Sequence, residues 1–133
     1  MTFVEAVKKC LSNYFKFSGR ALRSEFWWFY LFTFLVQTAS GIIDGALSGN
    51  YYENGYVQAL ASLALLIPGL AVGSRRLHDR NLSGWWQLLV IVPIVGWILL
   101  IVWWILEGED SENRFGPPPT FEAGQQRRAS ALP

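Results

Sequence analysis

Two short runs combine arginine, acid and tryptophan in a way suited to recognising phosphate. The first is Phe17-Ser-Gly-Arg20-Ala-Leu-Arg23-Ser-Glu25-Phe-Trp-Trp28, and the second is Arg75-Arg76-Leu-His78-Asp79-Arg-Asn-Leu-Ser-Gly-Trp-Trp86. A guanidinium is a planar fork that meets a phosphate or a carboxylate through two parallel hydrogen bonds. Arg20, Arg23, Arg75 and Arg76 can therefore hold a headgroup phosphate, pair with Glu25 or Asp79 between helices, or lie on a ring face. Acid–base chemistry fits less well. Neighbours on a helix project about 100° apart, so Asp79 is not placed to orient His78, and no serine or cysteine stands by as a nucleophile. A headgroup-modifying enzyme built on His78 and Asp79 is thus the weakest reading, and no enzymatic activity is expected. Cys10 is the single cysteine and His78 the single histidine. That excludes an internal disulfide and gives no basis for a metal or cofactor centre.

A second polar set has a different character. Thr33, Gln37, Ser40 and Asp44 recur at steps of four, three and four, which places them on one helical face. In hydrocarbon such a stripe must face protein or water. It reads as a packing face ending in an interfacial aspartate, or as the lining of a proton or cation path in an oligomeric small-solute or ion transporter or channel. Ser62, Gly69 and Gly73 form a third set, small residues that let helices approach closely. They suit packing against another segment of the chain more than homodimerisation.

These residues need helices to position them. The chain of 133 residues is 52% hydrophobic and only 16% charged, too little charge to cover a soluble domain of this size. Its net charge of +1 gives no reason to expect nucleic acid as a partner. Three apolar segments of about spanning length are present, at about 26–47, 57–73 and 85–106. The fold expected is an all-α membrane protein, a single domain over 1–119 with three transmembrane helices. Before them, residues 3–15 carry Phe3, Val7, Cys10, Leu11, Tyr14 and Phe15 on one side and lysines largely elsewhere. That is the pattern of an amphipathic helix in the membrane interface. The basic first 25 residues contain no apolar run, so no cleavable signal peptide is expected.

Lys/Arg asymmetry sets the orientation. The first 25 residues hold five, the segment 48–56 none, and the segment 74–84 three. The N-terminus and the second loop are therefore expected in the cytoplasm. Residues 85–106 favour one kinked crossing, since Trp103 lies 18 residues beyond Trp85, or roughly 27 Å, against a hydrocarbon core of about 30 Å. On that reading everything after Glu107 lies outside. Pro93-Ile-Val-Gly96 at the midpoint leaves a re-entrant hairpin as the alternative. Pro68 is expected to kink the second span. The acidic, proline-rich segment after Glu107 is expected to be extended, and 120–133 disordered.

The motifs together resemble the bacterial inner-membrane family known as domain of unknown function 805. The resemblance rests on Phe17-Ser-Gly-Arg20, Arg23, Glu25-Phe-Trp27, Arg75-Arg-Leu-His-Asp79, Ser83-Gly-Trp-Trp86 and Asn113-Arg-Phe-Gly-Pro117. It covers about residues 15–119 and implies a multi-pass protein of the bacterial inner membrane, with no assigned activity. Members often carry an acid where this chain has Pro118, so a contact made by that acid is missing here. The function expected is a non-enzymatic membrane component that binds lipid, itself or another membrane protein, without a cofactor.

Overall fold

The structure is a computed structural model, which describes residues 2–48, 55–109 and 111–119. The expectation of disorder over 120–133 lies outside the described residues. Within the described residues the chain is helical: α1 (Phe3–Ser12), α2 (Arg23–Ser48), α3 (Tyr56–Asp79), a 3-10 helix (Gly84–Ile91) and α4 (Val95–Ile105).

α1 starts at a capping box, in which the Thr2 hydroxyl accepts from the Glu5 N–H and the Glu5 carboxylate accepts from the Thr2 N–H. It ends at Ser12, earlier than the apolar pattern suggests, and Gly19 at φ +87 turns the chain toward α2. Ala6 and Cys10, one turn apart, are buried against α2 and α3. Phe3 meets the rings of Trp28 and Phe32 edge-on.

α2 and α3 are long and apolar enough to cross a membrane. In their most apolar windows only 17% and 33% of residues are buried, and Phe34, Leu47, Leu60 and Leu63 are largely exposed. A soluble core helix would hide these side chains; here the buried set is instead rich in charge. α3 also runs two turns past its apolar stretch. Residues 74–79, expected in a loop, are its last residues and all are buried. The helix stops because Asn81 takes the left-handed conformation, φ 60. The Asn81 N–H then donates to the His78 carbonyl and the Leu82 N–H to the Leu77 carbonyl, the αL stop that asparagine tolerates in place of glycine.

Pro68 lies inside α3. It has no N–H for the Ala64 carbonyl four residues back. The Tyr14 hydroxyl donates to that carbonyl instead. Docking of the segment between α1 and α2 onto α3 therefore supplies what the proline removes.

The third apolar segment is not one crossing, which corrects the expectation of a single kinked span. Pro93 and Gly96 stand at a reversal. The Val95 N–H donates to the Pro93 carbonyl across Ile94, which sits at φ 68, ψ −68, a tight γ-turn. The two arms lie antiparallel: Trp86 meets Trp103 at 5.8 Å between ring centroids, and the Trp97 indole donates to the Val90 carbonyl. Eleven residues of α4 rise only about 16 Å, half of a ~30 Å hydrocarbon core. The hairpin docks on α3 where Gly73 admits Gln87 and Trp104. The Gln87 amide donates to the Leu70 carbonyl and the Trp104 indole to that of Gly73. Both ends of the hairpin thus lie at the charged end of α3. The segment after Glu107 returns to the α1 end of the molecule, where the single-crossing reading had put it opposite.

Candidate functional site

Asp79, the last residue of α3, accepts from two arginines. Arg20 Nε is 2.9 Å from its Oδ1 and Arg76 Nη1 is 2.5 Å from its Oδ2. Three of the four side chains Arg20, Arg75, Arg76 and Glu25 are 2% exposed or less, and Arg20 is 6%. Each guanidinium has a separate task. Arg20 also donates to the backbone carbonyls of Asp79, Glu109, Ser111 and Gly116, so it gathers the chain after α4 around itself. Arg76 donates to the carbonyls of Trp104 and Leu106. Arg23 donates to that of Ile105, and Arg80 to that of Glu107. Four consecutive carbonyls at the end of α4 therefore each accept from an arginine. A helix end leaves such carbonyls without intrahelical partners and carries partial negative charge. The arginines answer both needs.

Glu25 and Arg75 form a second ion pair at 2.6 Å, with Lys9 at 3.7 Å and the Cys10 thiol at 3.6 Å from the same carboxylate. Burial, reinforced by the Glu25 charge, pushes the Cys10 thiol up to about 12. It is therefore a protonated filler in the core formed with Ala21, Phe26, Phe29 and Val72. Arg75 Nε and Nη2 and Glu25 Oε2 are buried without a hydrogen-bond partner among the described residues.

His78 and Asp79 do not interact as an acid–base pair. His78 Nδ1 lies 2.8 Å from the Gly19 carbonyl, and its ring stacks on Phe115 at 3.9 Å and 4°. Arg114 lies over the other partner of that stack, 4.8 Å from the Phe115 centroid. The Asn113 amide donates to the His78 carbonyl. Gly116, at φ +118, closes the Asn113–Gly116 turn in a conformation that favours glycine. The three charged sequence motifs thus meet at one end of the molecule.

The other two sets do not join them. Gln37 donates to the Ser62 hydroxyl at 2.8 Å, and Thr33 and Ser40 bond to carbonyls one turn back in α2. Asp44 accepts from the first-turn N–H groups of Val57 and Gln58 at 3.0 and 2.9 Å. The stripe therefore faces α3 and caps it. Gly69 faces the Tyr30 hydroxyl on α2, and Gly73 faces the hairpin. All three of Ser62, Gly69 and Gly73 pack inside this one chain.

Two cavities are lined by Arg23, which the sequence marks as one of four arginines able to hold a phosphate without setting it apart from the others. An open groove of about 390 Å³ is lined by Arg23, Ser24, Trp27, Trp28, Leu31 and Ile105. A second pocket of about 230 Å³ shares Arg23 and is otherwise lined by Leu22, Asp79, residues 107–109, Pro118 and Pro119. Arg23 crosses from α2 to Glu107 at 3.1 Å. Ile105 and Glu107 reach this site only because the hairpin returns, so no local signal around Arg23 could reveal it.

A family profile described as "Protein of unknown function (DUF805)" matches residues 14–117, which include every residue of the charged cluster except Lys9 and Cys10. The chain belongs to the DUF805 family. Among its relatives is "Inner membrane protein YhaI" of Escherichia coli K12, 42% identical over 84% of this chain and 92% of that protein. "Inner membrane protein YhaH" of the same organism is 38% identical over 86% and 95%. "Uncharacterized protein YiiR" is 38% identical over 71% of this chain and 60% of its own length. No solved structure matches the chain. YhaI and YhaH are named as inner-membrane proteins, and this chain carries two helices of spanning length, so it is a membrane protein. In DUF805 terms, the matched region is the whole assembly of α2, α3, hairpin and returning segment.

Proposed function

We propose that the protein is a non-enzymatic, phospholipid-binding component of the inner membrane, crossing it twice through α2 and α3. In this reading the hairpin re-enters from the cytoplasmic face to half depth, and α1 and the turn after it lie at that face with Val4, Leu11 and Phe15 outward. Support for the orientation comes from charge. Lys8, Lys9, Lys16, Arg20, Arg23, Arg75, Arg76 and Arg80 belong to the segments at one end of the helices, whereas residues 48–56 contain no Lys or Arg. Such residues are retained in the cytoplasm during insertion. A cysteine at the exposed position 112, introduced as Glu112→Cys in a Cys10→Ala background, should stay protected from an impermeant thiol reagent until cells are opened. Labelling of intact cells would refute the two-crossing topology.

The observation that carries the lipid reading is the groove at Arg23. It is a tryptophan- and leucine-walled slot that opens outward and has a cation at its end. Basic sites beside transmembrane helices at the cytoplasmic side hold phospholipid headgroups. Catalysis is not proposed, because His78 and Asp79 are engaged with other groups. Native mass spectrometry of the purified protein should detect bound phospholipid that is lost in Leu31→Trp, which fills the slot, and in Arg23→Gln. Equal retention by both variants and the wild type would sink the proposal.

A further inference from the structure

Arg23 belongs to two cavities of opposite character. In the groove the Trp27, Trp28, Leu31 and Ile105 walls are apolar and a third to a half exposed. The pocket includes Glu107, Gly108, Glu109 and two prolines. Two further carboxylates belong to that wall: Glu109, whose side chain has no ion pair among the described residues, and Glu107, which pairs with Arg23. Asp79 also lines the pocket, but its two oxygens accept from Arg20 and Arg76.

The acidic wall is built, not loosely hung. Glu109 donates its N–H to the Asp79 carbonyl at 2.8 Å, and its own carbonyl accepts from Arg20. Arg80 holds the Glu107 carbonyl at 2.7 Å. Gly108 lies so close to Asp79 that a Cβ there would collide with the carboxylate. Pro118 and Pro119 complete the lining. The Glu107 side chain, in contrast, is 81% exposed, and its bridge to Arg23 is one exposed contact at 3.1 Å. Such a bridge is worth little, so a phosphate can take Arg23 without a large penalty.

From the Arg23 pair of cavities we infer a preference for a phospholipid whose headgroup carries an amine, phosphatidylethanolamine being the representative. One acyl chain occupies the tryptophan-lined groove, the phosphate lies on Arg23, and the ammonium lies beyond it against Glu107 and Glu109. The order apolar, cation, carboxylate along the site is the complement of acyl, phosphate, ammonium along the lipid. An anionic lipid without an amine would meet the two carboxylates as like charges. This inference rests on the lipid-binding reading above and adds the headgroup class.

The test uses the full-length protein in nanodiscs of equimolar phosphatidylethanolamine and phosphatidylglycerol, released into mild detergent for native mass spectrometry. Wild type should retain phosphatidylethanolamine over phosphatidylglycerol by about tenfold, which corresponds to about 1.4 kcal/mol. Arg23→Gln should retain neither lipid. The double variant Glu107→Gln with Glu109→Gln should still bind lipid and lose the preference. Wild type without a preference, or a double variant that keeps it, overturns the inference while leaving the lipid reading intact. Wild type that holds no more lipid than Arg23→Gln overturns the lipid reading itself. Arg23→Lys is the control for folding, because it keeps the cation and should keep lipid with weakened discrimination.

Discussion

Asp44 and Asp79 are both buried aspartates, set at opposite ends of α3, and they are satisfied in opposite ways. Asp44 meets the start of that helix and accepts from two backbone N–H groups, with no cation beside it among the described residues. Asp79 sits at its finish and is clasped by two guanidiniums. The helix dipole explains the difference. A carboxylate is favoured where N–H groups and partial positive charge are exposed, and disfavoured where carbonyls are. At the Asp79 end the carbonyls of α3 and α4 both accumulate, so cations are needed twice, once for the acid and once for the carbonyls. Arg20, Arg23, Arg76 and Arg80 supply them, and in doing so tie the hairpin and the segment after it to α3. At the Asp44 end α2 and α3 meet, and among the described residues they are joined there by hydrogen bonds between Gln37, Ser62 and Gln58.

The sharpest way to break this comparison is to remove Arg76. Arg76→Gln leaves a buried carboxylate half-paired and two α4 carbonyls without donors, and it should cost about 3–5 kcal/mol. The measurement is reversible unfolding in mixed micelles, and a loss below about 1 kcal/mol would show that the cluster is dispensable. The replacement Asp79→Asn should be nearly as damaging, since it leaves the guanidiniums of Arg20 and Arg76 without their counter-ion.

A second test probes the neighbouring pair. The Cys10 thiol is raised from its ordinary value of 9.0 to about 12. Its folded value exceeds its unfolded one, so the stabilisation is complete below about pH 9 and is lost as the pH rises through about 12. At pH 8 the folded thiol should react with iodoacetamide about a thousandfold more slowly than in the denatured protein, because the thiolate is the reactive form. Glu25→Gln removes a charge that raises the thiol and should speed the reaction. Equal rates in folded and denatured protein would mean that α1 is not seated on α2.

The smallest effect belongs to the other end. Asp44→Ala removes a cap and should cost about 1 kcal/mol, and Gln37→Ala about 0.6 kcal/mol, both read in the same micelles. A loss at Asp44 equal to that at Arg76 would erase the contrast between the two ends. Ion flux in liposomes altered by Asp44→Asn would return the stripe to the transport reading.

Much of the site was legible because its residues are incompatible with their surroundings. Arginines, Glu25 and Asp79 beside apolar segments must be paired, and the possible partners are few. What the sequence left open was the course of the third segment, for which a hairpin at Pro93–Gly96 was only the alternative to a crossing. Twenty-two apolar residues fit a crossing, and periodicity carries no sign of where the chain reverses. Pro93 and Gly96 permit a turn, but the docking surface around Gly73 and the arginines waiting for the α4 carbonyls decide it. The Arg23 cavities follow from that return.

The sequence by itself determined that the protein is helical and belongs in a membrane, and which segments carry the charge, since hydropathy and Lys/Arg placement act through solvation alone. Tertiary structure decided that Asn113–Pro117 rejoins Arg20 and His78, that Tyr14 relieves Pro68, and that Arg23 faces Ile105. Each is a contact between segments remote in sequence, chosen by which unsatisfied carbonyl or charge can be reached once the helices have packed.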